Sequence, residues 1–303
     1  TKFLQAPETI KNLFEGTPSV KETIYMCGIV GCIGDNRIQT VILDGLEKLE
    51  YRGYDSAGLF IADADGTTQL VKKVGRIANL REAVDESVPA FAGIGHTRWA
   101  THGPATENNA HPHRSQNGRF TLVHNGVIEN FSELKETYLS HVNFQSQTDT
   151  EVAVNLVEYF AEKEDLSGKE AFRRALKEIR GSFAFGLLDE QAPGVLYAAK
   201  HKSPLLVGVG NGFNVICSDA MATISQTDTY LEIKDEELIT ITKDKVEIET
   251  IDGLFEIIHP EISFKSRGKD DFYRELQARV SAIDKKTQRE FIETLKKCYK
   301  VSR

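Results

Sequence analysis

The run Met26-Cys27-Gly28-Ile29-Val30-Gly31-Cys32-Ile33-Gly34 decides how this chain is read. Apolar residues alternate with glycines along it, the pattern of a buried strand that other backbone approaches closely. A cysteine stands directly at its start, where a nucleophile could sit on a rigid floor. A buried cysteine is often only a small hydrophobe, so its role depends on what the rest of the chain brings to it.

Composition narrows the setting. The 303 residues are 40% apolar and 27% charged, an ordinary folded, water-soluble composition. No apolar run approaches the roughly 18 residues of a membrane span, and the first 25 residues lack the basic start and apolar core of a leader. Together with four cysteines (27, 32, 217 and 298) in neither metal-type nor scaffold-type spacing, this predicts a cytoplasmic, reducing setting. The net charge of -8 argues against a nucleic-acid partner. The charge is uneven, because from Glu261 onward 12 basic residues face 7 acidic ones.

Outward from Cys27, Ile38, Val41, Ile42, Leu46 and Leu49 recur at the spacing of an amphipathic helix. Strands are expected at Ala57–Ala62, Thr67–Val74 and Ala92–His96, with a helix near Ala78–Asp85 between the last two. A strand from Phe120 runs into His124-Asn125-Gly126, and helices follow near Phe131–Leu139, Thr150–Lys163 and Lys169–Arg180. From Ser182 to Ile251 the pattern turns to short strands separated by Gly, Asp and Asn. The simplest packing is an α+β sandwich, two antiparallel sheets face to face with helices outside.

The polar stretches carry the chemistry. An activated cysteine needs a base, commonly histidine, and five histidines lie between 96 and 124. A second candidate is the α-amine of Cys27 itself, were everything before it removed. Its pKa of about 7.7–8.0 suits proton transfer from a thiol. Asn125-Gly126 offers a side-chain amide and an unhindered backbone N–H for an oxyanion hole, although Asn-Gly is also an ordinary turn. Arg98 could clamp a carboxylate in a bidentate fork and Asp149 could hold an ammonium, and together they would read an amino acid.

The runs MCGIVGCIG, EYRGYDSAG at 50–58, HTRWATHG at 96–103, NNAHPH at 108–113, HNGVIEN at 124–130 and SQTDTEV at 146–152 closely resemble the class II glutamine amidotransferase domain. Within that family they resemble the glucosamine-6-phosphate synthases, the glutamine–fructose-6-phosphate aminotransferases. The resemblance implies a four-layer αββα sandwich of the N-terminal-nucleophile hydrolase type that splits L-glutamine into glutamate and ammonia through a γ-glutamyl thioester. By the same resemblance Cys27 is the nucleophile and its α-amine the base, and Asn125 and Gly126 form the oxyanion hole. Arg98 then binds the substrate carboxylate, Asp149 its ammonium, and Trp99, Thr101 and His102 complete the pocket wall. Arg52 orders the site, and the other histidines, His111 and His113 included, are structural. No cofactor and no metal are expected, because no helical histidine pair or cysteine partner supports zinc.

The sequence departs from the family in three ways. Twenty-six residues precede Cys27, so its nitrogen is an amide without useful basicity unless they are removed. The family's sugar-phosphate isomerase domain is missing, which leaves at most the ammonia-supplying half. From about Phe255 the family's linker gives way to a basic tail, with Phe272, Leu276, Val280 and Ile283 at helical spacing. The expected domains are an extension at 1–25, the glutaminase at 26–256 and a helical extension at 257–303 that packs on its own acidic domain. The expected partners are L-glutamine, an isomerase domain or other ammonia acceptor, and a second copy of the chain. The alternative is a silent glutaminase-like module, blocked at Cys27, that binds a partner or regulates a synthase.

Overall fold

The computed structural model describes residues 27–34, 37–99 and 103–253 and the backbone of 262–263. The readings made for 1–25, for Thr101 and His102, and for the helical tail fall outside these residues. In chain order the elements are β1 (Gly28–Gly34), α1 (Ile38–Leu49), β2 (Ser56–Ala62), β3 (Thr68–Val74), α2 (Ile77–Ala83), β4 (Ala92–Arg98), β5 (His113–Arg114) and β6 (Phe120–Ile128). Three helices follow, α3 (Phe131–Tyr138), α4 (Asp149–Lys163) and α5 (Gly168–Glu178). Strands then run β7 (Gly181–Asp189), β8 (Leu196–His201), β9 (Leu206–Val209), β10 (Phe213–Cys217), β11 (Thr229–Glu232), β12 (Glu237–Ile241), β13 (Val246–Thr250) and β14 (Ile262–Ser263).

The strands form two sheets. One has eight strands in the order β14-β11-β9-β10-β1-β4-β2-β3, the other six in the order β13-β12-β8-β7-β6-β5. The layers follow from where the apolar side chains go. Ile29, Ile33, Phe60, Ile94, Val123, Leu188, Ile216 and Ile239 meet between the sheets. On the outer face of the first sheet, the apolar stripe of α1 packs on Val30, Cys32, Leu59 and Val215. On the outer face of the second, Val152, Leu156, Phe160 and Phe172 of α4 and α5 pack on Phe120, Phe185 and Leu187. All five stripe residues of α1 are buried, each worth roughly 1.5–3 kcal/mol of transfer free energy. The result is the expected αββα sandwich. No helix among the described residues is long and apolar enough to cross a membrane.

The strand that follows Cys27 sits deep inside its sheet. β1 pairs with β10 on one side, from Val30↔Cys217 to Gly34↔Phe213, and with β4 on the other, from Gly28↔Thr97 to Ile33↔Ala92. Gly28 is required there, because a Cβ would lie 2.6 Å from Thr97 Oγ1 and 2.8 Å from Leu49 Cδ1.

One local expectation needs correcting. Asn125-Gly126 lies neither at a strand end nor in a turn, because β6 continues to Ile128 and pairs with β7 through Asn125↔Ala184 and Gly126↔Phe183. Gly126 takes φ +135°, and a Cβ on it would lie 2.1 Å from the Ser182 carbonyl oxygen. The glycine is there for close approach rather than for reversal of the chain. Likewise β4 extends past His96, so Arg98 is a strand residue.

Candidate active site

Cys27 stands immediately before β1, half-buried, with its sulfur held by one neighbour. The Trp99 N–H donates to Sγ at 3.2 Å, and Sγ donates to the Trp99 carbonyl at 3.5 Å. Burial pushes the Cys27 thiol up, and the Trp99 N–H pulls it partly back. At neutral pH the sulfur is therefore protonated, and attack requires a base to take that proton.

The second sheet supplies the facing wall. From β6, Asn125 Nδ2 donates to the Cys27 carbonyl at 3.0 Å, while Asn125 Oδ1 meets His96 Nε2 at 2.9 Å. Asp149 is the first residue of α4, and its Oδ2 accepts the Ile128 N–H at 2.7 Å. Thr148 caps this helix, its side chain accepting the Glu151 N–H. The Glu151 carboxylate in turn accepts the Gln145 N–H at 2.8 Å and the Ser146 N–H at 2.6 Å, which fixes the loop ahead of the helix.

Arg98 is buried at the end of β4 and donates to the carbonyls of Pro104 and Gly103 at 3.2 Å each, with Asp55 at 3.7 Å. Cys27, Arg98, Trp99, Gly126 and Asp149 converge on one small pocket. Trp99 remains exposed at 39%. Asn125 reaches the site through its bond to Cys27, and Arg52 stands behind it. Arg52 donates to Ser218 Oγ at 3.4 Å, and the same hydroxyl accepts the Ile29 N–H at 3.1 Å.

The sequence reading counted His111 and His124 among the structural histidines and did not name Thr148 or Thr150, yet all four line the pocket, and Ser218, also unnamed, joins Arg52 to β1. Thr148 and Thr150 lie in the SQTDTEV run and His124 in HNGVIEN, so the motifs pointed at them. Ser218, 166 positions from Arg52, had no such signal.

A file of histidines lies under the site. His96 and His111 stack with centroids 4.1 Å apart, His111 meets His113 edge-on at 4.8 Å, and His113 Nε2 shares a hydrogen bond of 3.0 Å with Thr148 Oγ1. Burial lowers His96 to about 3, and burial together with neighbouring histidines and cations holds His111 and His113 well below the usual range. Among the described residues no group of three or more His, Cys, Asp or Glu could hold a metal ion. Below about pH 6.5 the unfolded chain protonates these rings and the native chain does not, so their contribution is complete above that pH and lost as pH falls. Denaturant titrations from pH 6.5 to 5, above the carboxylate range, should lose roughly 1 kcal/mol per pH unit for each histidine.

Residues 96–225 match the family described as a glutamine amidotransferase domain. The chain is 58% identical over 228 residues to a glutamine–fructose-6-phosphate aminotransferase [isomerizing] of Streptococcus agalactiae serotype III (strain NEM316), and 56% identical to that of Lactococcus lactis subsp. lactis (strain IL1403). Each match covers 75% of this chain and 38% of the relative, so the chain spans well under half the relatives' length. Among solved structures, the glutamine phosphoribosylpyrophosphate (PRPP) amidotransferase from B. subtilis aligns with a TM-score of 0.64 and 26% identity, over 74% of this chain and 49% of that one. A glutamine aminotransferase class-II domain protein from Silicibacter pomeroyi shares the fold, with a TM-score of 0.51 and 18% identity, over 74% of this chain and 99% of its own.

Proposed function

We propose, on the premise that this chain carries a class II glutamine amidotransferase domain, that the part beginning at Cys27 hydrolyses L-glutamine to glutamate and ammonia. The observation that supports this most is the sharing of one pocket by Cys27, Arg98, Gly126 and Asp149, with Asn125 bonded to the nucleophile's own carbonyl. In this reading the free α-amine of Cys27 takes the thiol proton as the sulfur attacks the amide carbon. The oxyanion is received by Asn125 Nδ2 and the Gly126 N–H. The amine then gives its proton to the departing ammonia, leaving a γ-glutamyl thioester that water opens with the same amine as base.

Arg98 holds the substrate carboxylate and Asp149 its ammonium, with Trp99, Thr101 and His102 as walls. Arg52 acts at one remove, through Ser218, on the start of β1. The amidotransferase part is assigned to 26–256, with 1–25 and 257–303 outside it. The relatives' names point to fructose 6-phosphate as the acceptor of the ammonia, and we extend that to the protein of which this domain forms part.

The test is glutamate release from L-glutamine by a chain whose first residue is Cys27; no release would sink the reading. Asp149→Asn keeps an acceptor for the Ile128 N–H and removes the charge facing the ammonium. A hydrogen bond to a charged group is worth about 1.5–3 kcal/mol, so kcat/KM should fall roughly 10- to 150-fold, carried mainly by KM in steady-state assays.

A further inference from the structure

We propose that His96 is a positioning residue that aims the Asn125 amide, as a neutral ring carrying its proton on Nε2; the inference rests on the glutaminase reading of the site. The Asn125 side chain makes two hydrogen bonds, Nδ2 to the Cys27 carbonyl at 3.0 Å and Oδ1 to His96 Nε2 at 2.9 Å. Only this orientation is chemically consistent, since a flipped amide would set Oδ1 against the Cys27 carbonyl, acceptor against acceptor. With Oδ1 facing it, His96 Nε2 must be the donor. Among the described residues His96 Nδ1 makes no hydrogen bond, which fits the bare nitrogen of that tautomer, and the other polar group against the ring is the His124 main chain.

The ring is fixed on every side. His96 is fully buried, its backbone pairs with Ile29 of β1 and Gly58 of β2, and one face stacks on His111 at 4.1 Å with an interplanar angle of 21°. Asn125 belongs to the other sheet, so this hydrogen bond ties the orientation of the oxyanion donor to the strand beside the nucleophile. Without it the bond to the Cys27 carbonyl is left to hold the amide alone, and any rotation would turn its carbonyl end toward the developing oxyanion instead of stabilising it.

His96→Phe keeps the stacked ring and removes the donor, whereas His96→Gln restores a donor at similar reach. In chains beginning at Cys27, His96→Phe should lower kcat about 10- to 100-fold with KM within about threefold of wild type. Affinity for the γ-aldehyde of glutamate, which needs the oxyanion hole once its hemithioacetal forms, should fall by the same factor, while affinity for glutamate stays unchanged. His96→Gln should recover most of the loss, and His96→Phe added to Asn125→Ala should cost nothing further. Long-range proton–nitrogen spectra of the wild type should show the Nε2–H tautomer.

A kcat for His96→Phe within twofold of wild type, a fully additive double variant, or the other tautomer would overturn the inference. So would parallel loss of aldehyde and glutamate binding with a lowered melting point that His96→Gln does not recover. A wild-type chain that releases no glutamate overturns the functional reading and this inference together, whereas a working wild type with an indifferent His96 overturns this one alone.

Discussion

Released at the Met26–Cys27 bond, the chain should turn over glutamine, and with that bond intact its rate should fall by about 10²- to 10⁴-fold, the usual contribution of a positioned base. Three observations set this expectation. The thiol is pushed up by burial, so it does not ionise unaided at neutral pH. Among the described residues its sulfur is hydrogen-bonded by main-chain groups of Trp99, one donor and one acceptor, and neither can carry the proton away. The described histidines nearby are engaged elsewhere, His96 with Asn125, His111 with the His124 N–H, His113 with Thr148 and His124 with Thr150. Among the described residues that leaves the α-amine of Cys27 as the candidate with suitable basicity, and acylation abolishes that basicity. The check is glutamate release by both forms, each verified by intact mass, with a Cys27→Ser chain as the baseline. Equal turnover by the uncut chain would remove the α-amine from the mechanism. Silence of both forms would favour the binding-module alternative.

Asn125→Ala in the released chain should lower kcat about 10²- to 10³-fold, as loss of one oxyanion donor does elsewhere, with KM changed little. The amide already faces Cys27 in the resting structure, donating to that residue's own carbonyl. Little reorganisation is then needed when charge develops on the substrate oxygen. The substitution empties a buried position within β6 without touching Arg98 or Asp149, so ground-state binding should survive. Steady-state assays with glutamine, paired with inhibition by glutamate, separate the two effects. A loss confined to KM would mean that Asn125 binds substrate and does not stabilise the oxyanion.

Local sequence carried the layers and the pocket. The alternation around Cys27, the helical stripe from Ile38 to Leu49 and the short strands after Ser182 each report burial on one face, and burial is what layering needs. The polar motifs offered Cys27, Arg98, Asn125, Gly126 and Asp149 on their chemistry, and Trp99 came with the resemblance to the amidotransferase family. What stayed hidden depends on distant backbone. Asn-Gly reads as a reversal, yet tertiary pairing with β7 keeps the strand extended through both residues. The link from Arg52 through Ser218 to Ile29, and the bond between His96 and Asn125, join residues far apart in the chain and leave no periodic trace.

The placement of β1 has one more consequence. Bonded along both edges, it belongs to the part of the fold that opens only when everything opens, and the sulfur inherits that steadiness. Cutting the chain just ahead of it would create a charge beside a strand already bonded along both edges. Maturation would thus resemble unlocking a finished mechanism, and its speed would be set by the protease, not by any refolding of the protein.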